Sequence, residues 1–234
     1  MDEAVVYLQP AYILQHRPYR ETSLLLEVFT RDFGLVSLLA KGVRKEKSKT
    51  AGVLLPFALL QISYLDKNEL KLLTNAEFLE AHDLQRLGLY CGFYINELVQ
   101  RFLHKHDPNP ALFVRYQQCL QALLTDDNIE QTLRYFELDL LEQAGYAIEL
   151  DVDSRSGKPV QAERRYQFEA NLGMVEQATG AIDGRTLLAI SERSELDTVA
   201  LSQAKQLLRT LLAQHLQGKP LKSRAVLAKV IQYL

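Results

Sequence analysis

Lys41, Arg44, Lys45, Lys47 and Lys49 crowd five cations between Gly42 and Gly52 and their flanks, against the single acid Glu46. The chemistry open to such a segment is electrostatic. It cannot bury itself, because each cation would lose its hydration without a paired anion. Like charges this close also repel, so an anionic partner relieves the segment, and a phosphate backbone is the usual one. The plainer reading is a solvated surface loop. With 27 Lys and Arg against 29 Asp and Glu, the chain has net charge −2, so the basic run is local and not a by-product of composition.

Further cations and rings stand at neighbouring breaks in the chain: Arg17, Tyr19, Arg20, Arg31 and Phe33, with Phe57 beyond the basic run. Small barrels bind single strands by pairing a cationic groove with aromatic platforms on which bases stack. Lys222 and Arg224 form a second compact cluster after Gly218-Lys219-Pro220. Covalent chemistry finds no support. Asp32-Phe33-Gly34 spells a kinase triplet without its companion motifs and reads as a strand turn. Gly157-Lys158 and Gly218-Lys219 lack phosphate-loop spacing. His104-Lys105-His106-Asp107 reads as charge at a helix end sooner than as a metal site. The sequence therefore predicts a protein that is not an enzyme.

The elements that must carry these residues change period once. Leu24, Leu26 and Val28 alternate with Leu25, Glu27 and Phe29, as do Leu60, Ile62 and Tyr64 with Gln61 and Ser63. Leu70, Leu72, Thr74, Ala76 and Phe78 repeat the pattern, and about five short strands result. A small closed barrel follows, an OB-fold or an SH3-like barrel. From about Asp83 the period is helical, through Leu87, Tyr90, Tyr94, Leu98 and Phe102. Asp107-Pro108-Asn109-Pro110 ends that helix and starts another. Asp127 with Glu130 suggests a capping-box start for a third, stopping at Gly145. A hairpin is expected from Tyr166-Phe168 through Asn171-Leu172-Gly173 to Met174-Val175. A long helix follows over 198–216, and then a short tail helix. The class is α+β: a barrel domain over 1–80 and a helical domain over 81–234, including a small lobe over 151–180.

Bulk properties agree with a globular protein: 234 residues, 47% hydrophobic and 24% charged. Cys91 and Cys119 read as reduced core thiols, the acidic start does not read as a signal peptide, and no apolar run reaches membrane-spanning length. A cytoplasmic protein is expected. Charge is uneven: residues 126–153 carry Arg134 as their only base among many acids, while no acid follows Asp197.

Several segments, in order, resemble the RecO family of bacterial recombination mediators. They are Arg17-Pro18-Tyr19-Arg20-Glu21-Thr22-Ser23-Leu24-Leu25, Phe29-Thr30 to Gly34, Ala40-Lys41-Gly42-Val43-Arg44, Ala51-Gly52 to Pro56-Phe57, Tyr94-Ile95-Asn96-Glu97-Leu98, Phe136-Glu137-Leu138, Gly145-Tyr146 and Lys219-Pro220-Leu221-Lys222-Ser223-Arg224. The resemblance implies an OB-fold and a helical domain, binding of single- and double-stranded DNA, and annealing of complementary strands. It also implies cooperation with RecR and the single-stranded-DNA-binding protein SSB in loading RecA, without ATP. The expected DNA-binding residues are Lys41, Arg44, Lys45, Lys47, Lys49, Arg17, Arg20, Arg31, Tyr19, Lys222 and Arg224. Arg134 is the expected clamp for the free carboxylate of the SSB tail, with an intrahelical pair to Glu130 or Glu137 as the other reading. A protein-bridging adaptor with incidental DNA contact is the alternative function. Zinc-binding members carry four cysteines where this chain has Asp153, Ser156, Glu176 and Thr179, a set that does not close a structural zinc tetrahedron, so no metal or other cofactor is expected.

Overall fold

The computed structural model describes residues 4–46, 48, 50–125, 127–216 and 218–231, the last two without their side chains. Five strands close a barrel: β1 (Ala4–Tyr19), β2 (Ser23–Thr30), β3 (Gly34–Ala40), β4 (Ala58–Asp66) and β5 (Leu70–Ala81). Their order is β1-β2-β3-β5-β4, with β4 returning to β1 and only the β3–β5 pair parallel. This is the OB arrangement, and it decides between the two barrels that the alternation left open.

The barrel core takes Ala11, Ile13, Leu26, Val28, Leu60, Ile62 and Tyr64 from alternate positions, as the period-two pattern requires. Tyr12 and Phe29 point the other way yet are also fully buried. Helix α2 (Pro110–Ala122) covers them with Phe113 and Tyr116, whose rings lie 5.0–6.0 Å from theirs. One stretch of β1 is thus buried on both faces and shows no alternation.

Strand β5 departs from the expected strict alternation. Pairing runs Ser63↔Asn75 and then Tyr64↔Leu73, and farther on Leu59↔Glu80 and then Leu60↔Phe78, so Thr74 and Leu79 are extra residues in bulges. Each bulge moves the following side chains to the other face. Leu73 and Ala76 therefore meet the core, while Phe78 is half-exposed.

Helix α1 (Arg86–Phe102) packs on β1, and its Asn96 donates to the Leu14 carbonyl (3.0 Å) and accepts from the Tyr116 hydroxyl (2.6 Å). Asn109 caps α2 by accepting from the Leu112 amide at 2.9 Å, with Pro110 in the first turn. The Asp32-Phe33-Gly34 triplet is indeed the β2–β3 turn. Gly34 has φ +63° and a Cβ there would fall 2.1 Å from the Asp107 carbonyl oxygen, so only glycine fits. The His104–Asp107 segment is held against β3, with His106 N–H donating to the Leu35 carbonyl and Lys105 Nζ to Ser37 Oγ.

The chain divides into two compact units, Met1–Asp126 with Leu221–Leu234, and Asp127–Pro220. In the second, α3 (Ile129–Gln143) and α4 (Gly184–Ser191) pack with α5 (Thr198–His215). A small sheet accompanies them, β7 (Gly173–Glu176), β6 (Arg165–Glu169) and β8 (Ile182–Asp183) in that order. The β6–β7 hairpin has Phe168 opposite Met174, with Asn171 and Gly173 at positive φ in its turn. The capping box expected at Asp127 does not form. Asn128 is the N-cap, in a left-handed conformation without a side-chain cap bond, and Glu130 instead pairs with Lys205 at 2.9 Å. Helix α6 (Lys222–Ile231) belongs to the first unit and packs on α1. No described helix is long and apolar enough to cross a membrane.

Candidate nucleic-acid interface

The start of the basic loop is shaped by backbone. Gly42 takes φ +69°, and the Lys45 amide donates to the Gly42 carbonyl at 3.2 Å, making a tight turn after β3. Val43 at its centre is buried in the barrel core, which forces Lys41, Arg44 and Lys45 outward. The β1–β2 turn, Arg20 to Thr22, lies alongside. The Arg44 amide donates to the Thr22 carbonyl at 2.8 Å and Arg44 Nη1 to the Arg20 carbonyl at 3.3 Å. Arg20, itself at φ +51°, holds its guanidinium 5.3 Å from the Tyr19 ring centroid.

One end of the barrel therefore gathers Tyr19, Arg20, Lys41, Arg44 and Lys45. Arg17 is two residues back on β1, across from Leu25 on β2. Among the described residues, none of these cations forms an ion pair. Lys47 and Lys49 lie outside the described residues. The field at this end stays positive and open to an anion.

Arg31 stands apart. It follows Thr30 at the far end of β2, roughly 25 Å along the strand at about 3.3 Å per residue, and it pairs with Asp32 at 2.9 Å. That hydrogen-bonded pair holds the Asp32 carboxyl below the usual carboxylate range. Of the other rings, Phe33 lies edge-on to Tyr64, and Phe57 is buried at 3% exposure, so Phe57 is a core residue and no platform. Phe57 nevertheless supports one. It holds the ring of Phe93, 5.0 Å away, which is 43% exposed on α1. Phe93 is not among the residues that the sequence singles out. Its signal was that Phe93, Glu97 and Arg101 recur at four-residue spacing off the buried stripe.

The tail cations share a compact unit with the barrel. Lys222 and Ser223 donate their amides to the two carboxylate oxygens of Glu97, at 3.0 and 2.8 Å, and Ser223 Oγ donates at 2.6 Å. Glu97 thereby fills the electropositive start of α6. Burial pushes its carboxyl up, but the bonds from Ser223 and Lys222 and the nearby Arg101 outweigh that, and the net shift is downward. Lys222 is exposed. Arg224 is half-buried, donates to the Tyr94 hydroxyl at 3.1 Å and lies over its ring.

Arg134 belongs to the second unit and sits on α3. It is 8% exposed and donates from Nη2 to Glu137 Oε1 at 2.7 Å, while its Nε has no partner among the described residues. The lobe around Asp153 is organised by hydrogen bonds. Asp153 accepts from Ser156 Oγ and from the amides of Arg155 and Glu176, each 3.2 Å away, and these bonds draw its carboxyl below the usual range. Glu176 turns to Arg164 at 3.2 Å. All four side chains are oxygen donors, and Asp153, Ser156 and Glu176 are engaged in other bonds, so the set does not fit a structural zinc ion.

The chain matches two family models, Recombination protein O N terminal over residues 1–82 and Recombination protein O C terminal over residues 81–225. It is 42% identical over 226 residues to the DNA repair protein RecO of Methylococcus capsulatus, covering 95% of this chain and 93% of that one. It is 41% identical over 233 residues to the Nitrosococcus oceani protein of the same name, covering 96% and 94%. Against the Haemophilus influenzae (strain ATCC 51907) protein the figures are 39% over 231 residues, covering 97% and 98%. Two adjoining models and relatives matched almost end to end leave one conclusion: the chain belongs to the RecO family, whose members are recombination mediators in DNA repair and not enzymes.

Proposed function

We propose that this protein binds single- and double-stranded DNA through the barrel-end cations and anneals complementary strands. With RecR, it then promotes loading of RecA onto strands coated by SSB. The observation that carries the reading is the convergence of Arg20, Lys41, Arg44 and Lys45 at one barrel end, with no ion pair among the described residues. Lys47 and Lys49 continue the same run, and Arg17, Tyr19, Lys222 and Arg224 extend it on the same unit. Neutralising phosphates releases counterions and supplies affinity without reading sequence, which suits a protein that must act on any strand. Base pairing then provides the free energy of annealing. The protein's part is to hold two anionic strands close.

The partner reading rests on Arg134. A guanidinium whose Nε has no partner among the described residues can receive a terminal carboxylate such as that of the SSB tail, in exchange for Glu137. Annealing of complementary strands coated with SSB, without ATP, tests the main reading. Annealing that follows the barrel-end cations supports it. Binding of RecR and the SSB tail with no annealing would favour a bridging adaptor.

A further inference from the structure

On the outer face of the barrel, Gln15, His16, Arg17, Leu25 and Glu27 line a cleft of about 300 Å³. Gln15 also lines a second cleft, of about 480 Å³, whose other walls include Leu14, Phe93, Arg101 and Lys222. Sharing Gln15, the two run on from each other along β1. They begin beside Arg17, next to the cationic barrel end, and finish at the first residue of α6. The groove thus links two cation clusters that the sequence places about 180 residues apart.

Its lining includes the cations Arg17, Arg101 and Lys222 and one phenyl ring, Phe93. Phe93 offers an exposed ring packed against the buried Phe57, with centroids 5.0 Å apart and planes inclined at 62°. A fixed ring loses little freedom when a planar ligand stacks on it. The two acids of the groove are both engaged. Glu27 accepts from Ser37 Oγ, which in turn accepts from Lys105 Nζ at 2.9 Å, and Glu97 holds the amides of α6.

We propose that this groove is the track of one DNA single strand, with a base stacked on Phe93 and the flanking phosphates held by Arg17 on one side and Arg101 and Lys222 on the other. Charge complementarity and continuity with the cationic barrel end select a polyanion. The exposed ring selects unpaired bases, since a duplex keeps its base faces stacked internally. The proposal rests on the DNA-binding reading and adds to it a polarity of contact. One strand enters at the basic loop and leaves at the tail helix.

The test uses the full chain and a fluorescein-labelled oligothymidylate carrying one 2-aminopurine. Phe93→Leu keeps apolar bulk against Phe57 and removes the stacking face. It is expected to weaken single-strand binding about tenfold and to leave the 2-aminopurine unquenched, whereas Phe93→Tyr restores both. Arg101→Gln is expected to reduce the salt slope by about 0.7. Wild-type affinity and quenching in Phe93→Leu would overturn the track, and so would a loss confined to binding of an acidic peptide with a free carboxylate. If Arg44, Lys45, Lys47 and Lys49 together matter and Phe93 does not, the groove falls and the DNA reading stands. If the wild-type protein binds no oligothymidylate, both fall.

Discussion

Glu97 of α1 carries the start of α6. Its two carboxylate oxygens take the amides of Lys222 and Ser223 and the Ser223 hydroxyl, across 125 residues of sequence. The neighbouring Asn96 reaches the other way, to Leu14 of the barrel and Tyr116 of α2. Two adjacent side chains of one helix thus tie the tail cations to the barrel.

Replacing Glu97 by Ala leaves the α6 amides uncapped and is expected to lower α6 protection by about 1–2 kcal/mol, read by hydrogen exchange over residues 221–231. Because the folded Glu97 carboxyl is depressed, its contribution is present above the unfolded value and is lost as pH falls through the lower folded value. Wild-type α6 protection is therefore expected to drop in acid, and Glu97→Gln to remove that drop. A drop of equal size in the variant would locate the titration elsewhere.

The barrel-end loop should dominate salt dependence. If it neutralises about five phosphates of a single strand, the slope of log affinity against log salt is about −3.5, and binding weakens about 100-fold between about 50 and about 200 mM salt. Arg44, Lys45, Lys47 and Lys49 replaced together by Ala should flatten the slope by about 2.8, the share of four phosphates. Arg31→Ala, at the far end of β2 and already paired with Asp32, should change affinity less than about twofold. Titrations at several salt concentrations read all three, and an unchanged slope in the quadruple variant would place DNA binding elsewhere.

Asp153 organises its lobe by hydrogen bonds. Asp153→Ala removes the acceptor for Ser156 Oγ and two amides and should destabilise the lobe by about 2 kcal/mol. Its depressed carboxyl gives stability present above the ordinary carboxylate value and lost as pH falls through the folded one. Protein purified without a tag should hold far less than one zinc per chain by mass spectrometry, and a stoichiometric content would contradict this assignment.

Arg134→Ala is expected to weaken a fluorescent peptide with an acidic, free-carboxylate tail at least about tenfold, in line with loss of a charge-assisted contact. It also strips Glu137 of the Arg134 contact, so Arg134→Lys serves as the second variant, keeping the charge without the fork geometry. Tail affinity unaffected in both would reduce Arg134 to an intrahelical ion pair.

Local pattern in the sequence was enough for the class of this protein. Alternating Leu24, Leu26 and Val28, and then the three-four stepping of Leu87 to Phe102, announced a barrel followed by helices, because side-chain periodicity is a property of neighbours in the chain. The cationic run was equally plain, since charge is read directly from residue type. What periodicity could not carry was anything set by pairing across the sheet. Strand order chose the OB arrangement, and it separated Arg31 from Arg20, which look alike in the sequence but occupy opposite ends of β2. Bulges at Thr74 and Leu79 shifted β5 against its own alternation. Tertiary packing alone buried Phe57 and left Phe93 exposed against it, and packing alone gave Glu97 to a helix start far along the chain. The physical reason is common to these cases. Burial and hydrogen bonding are settled by the residues that meet in space, and a sequence states only which residues are adjacent in the chain.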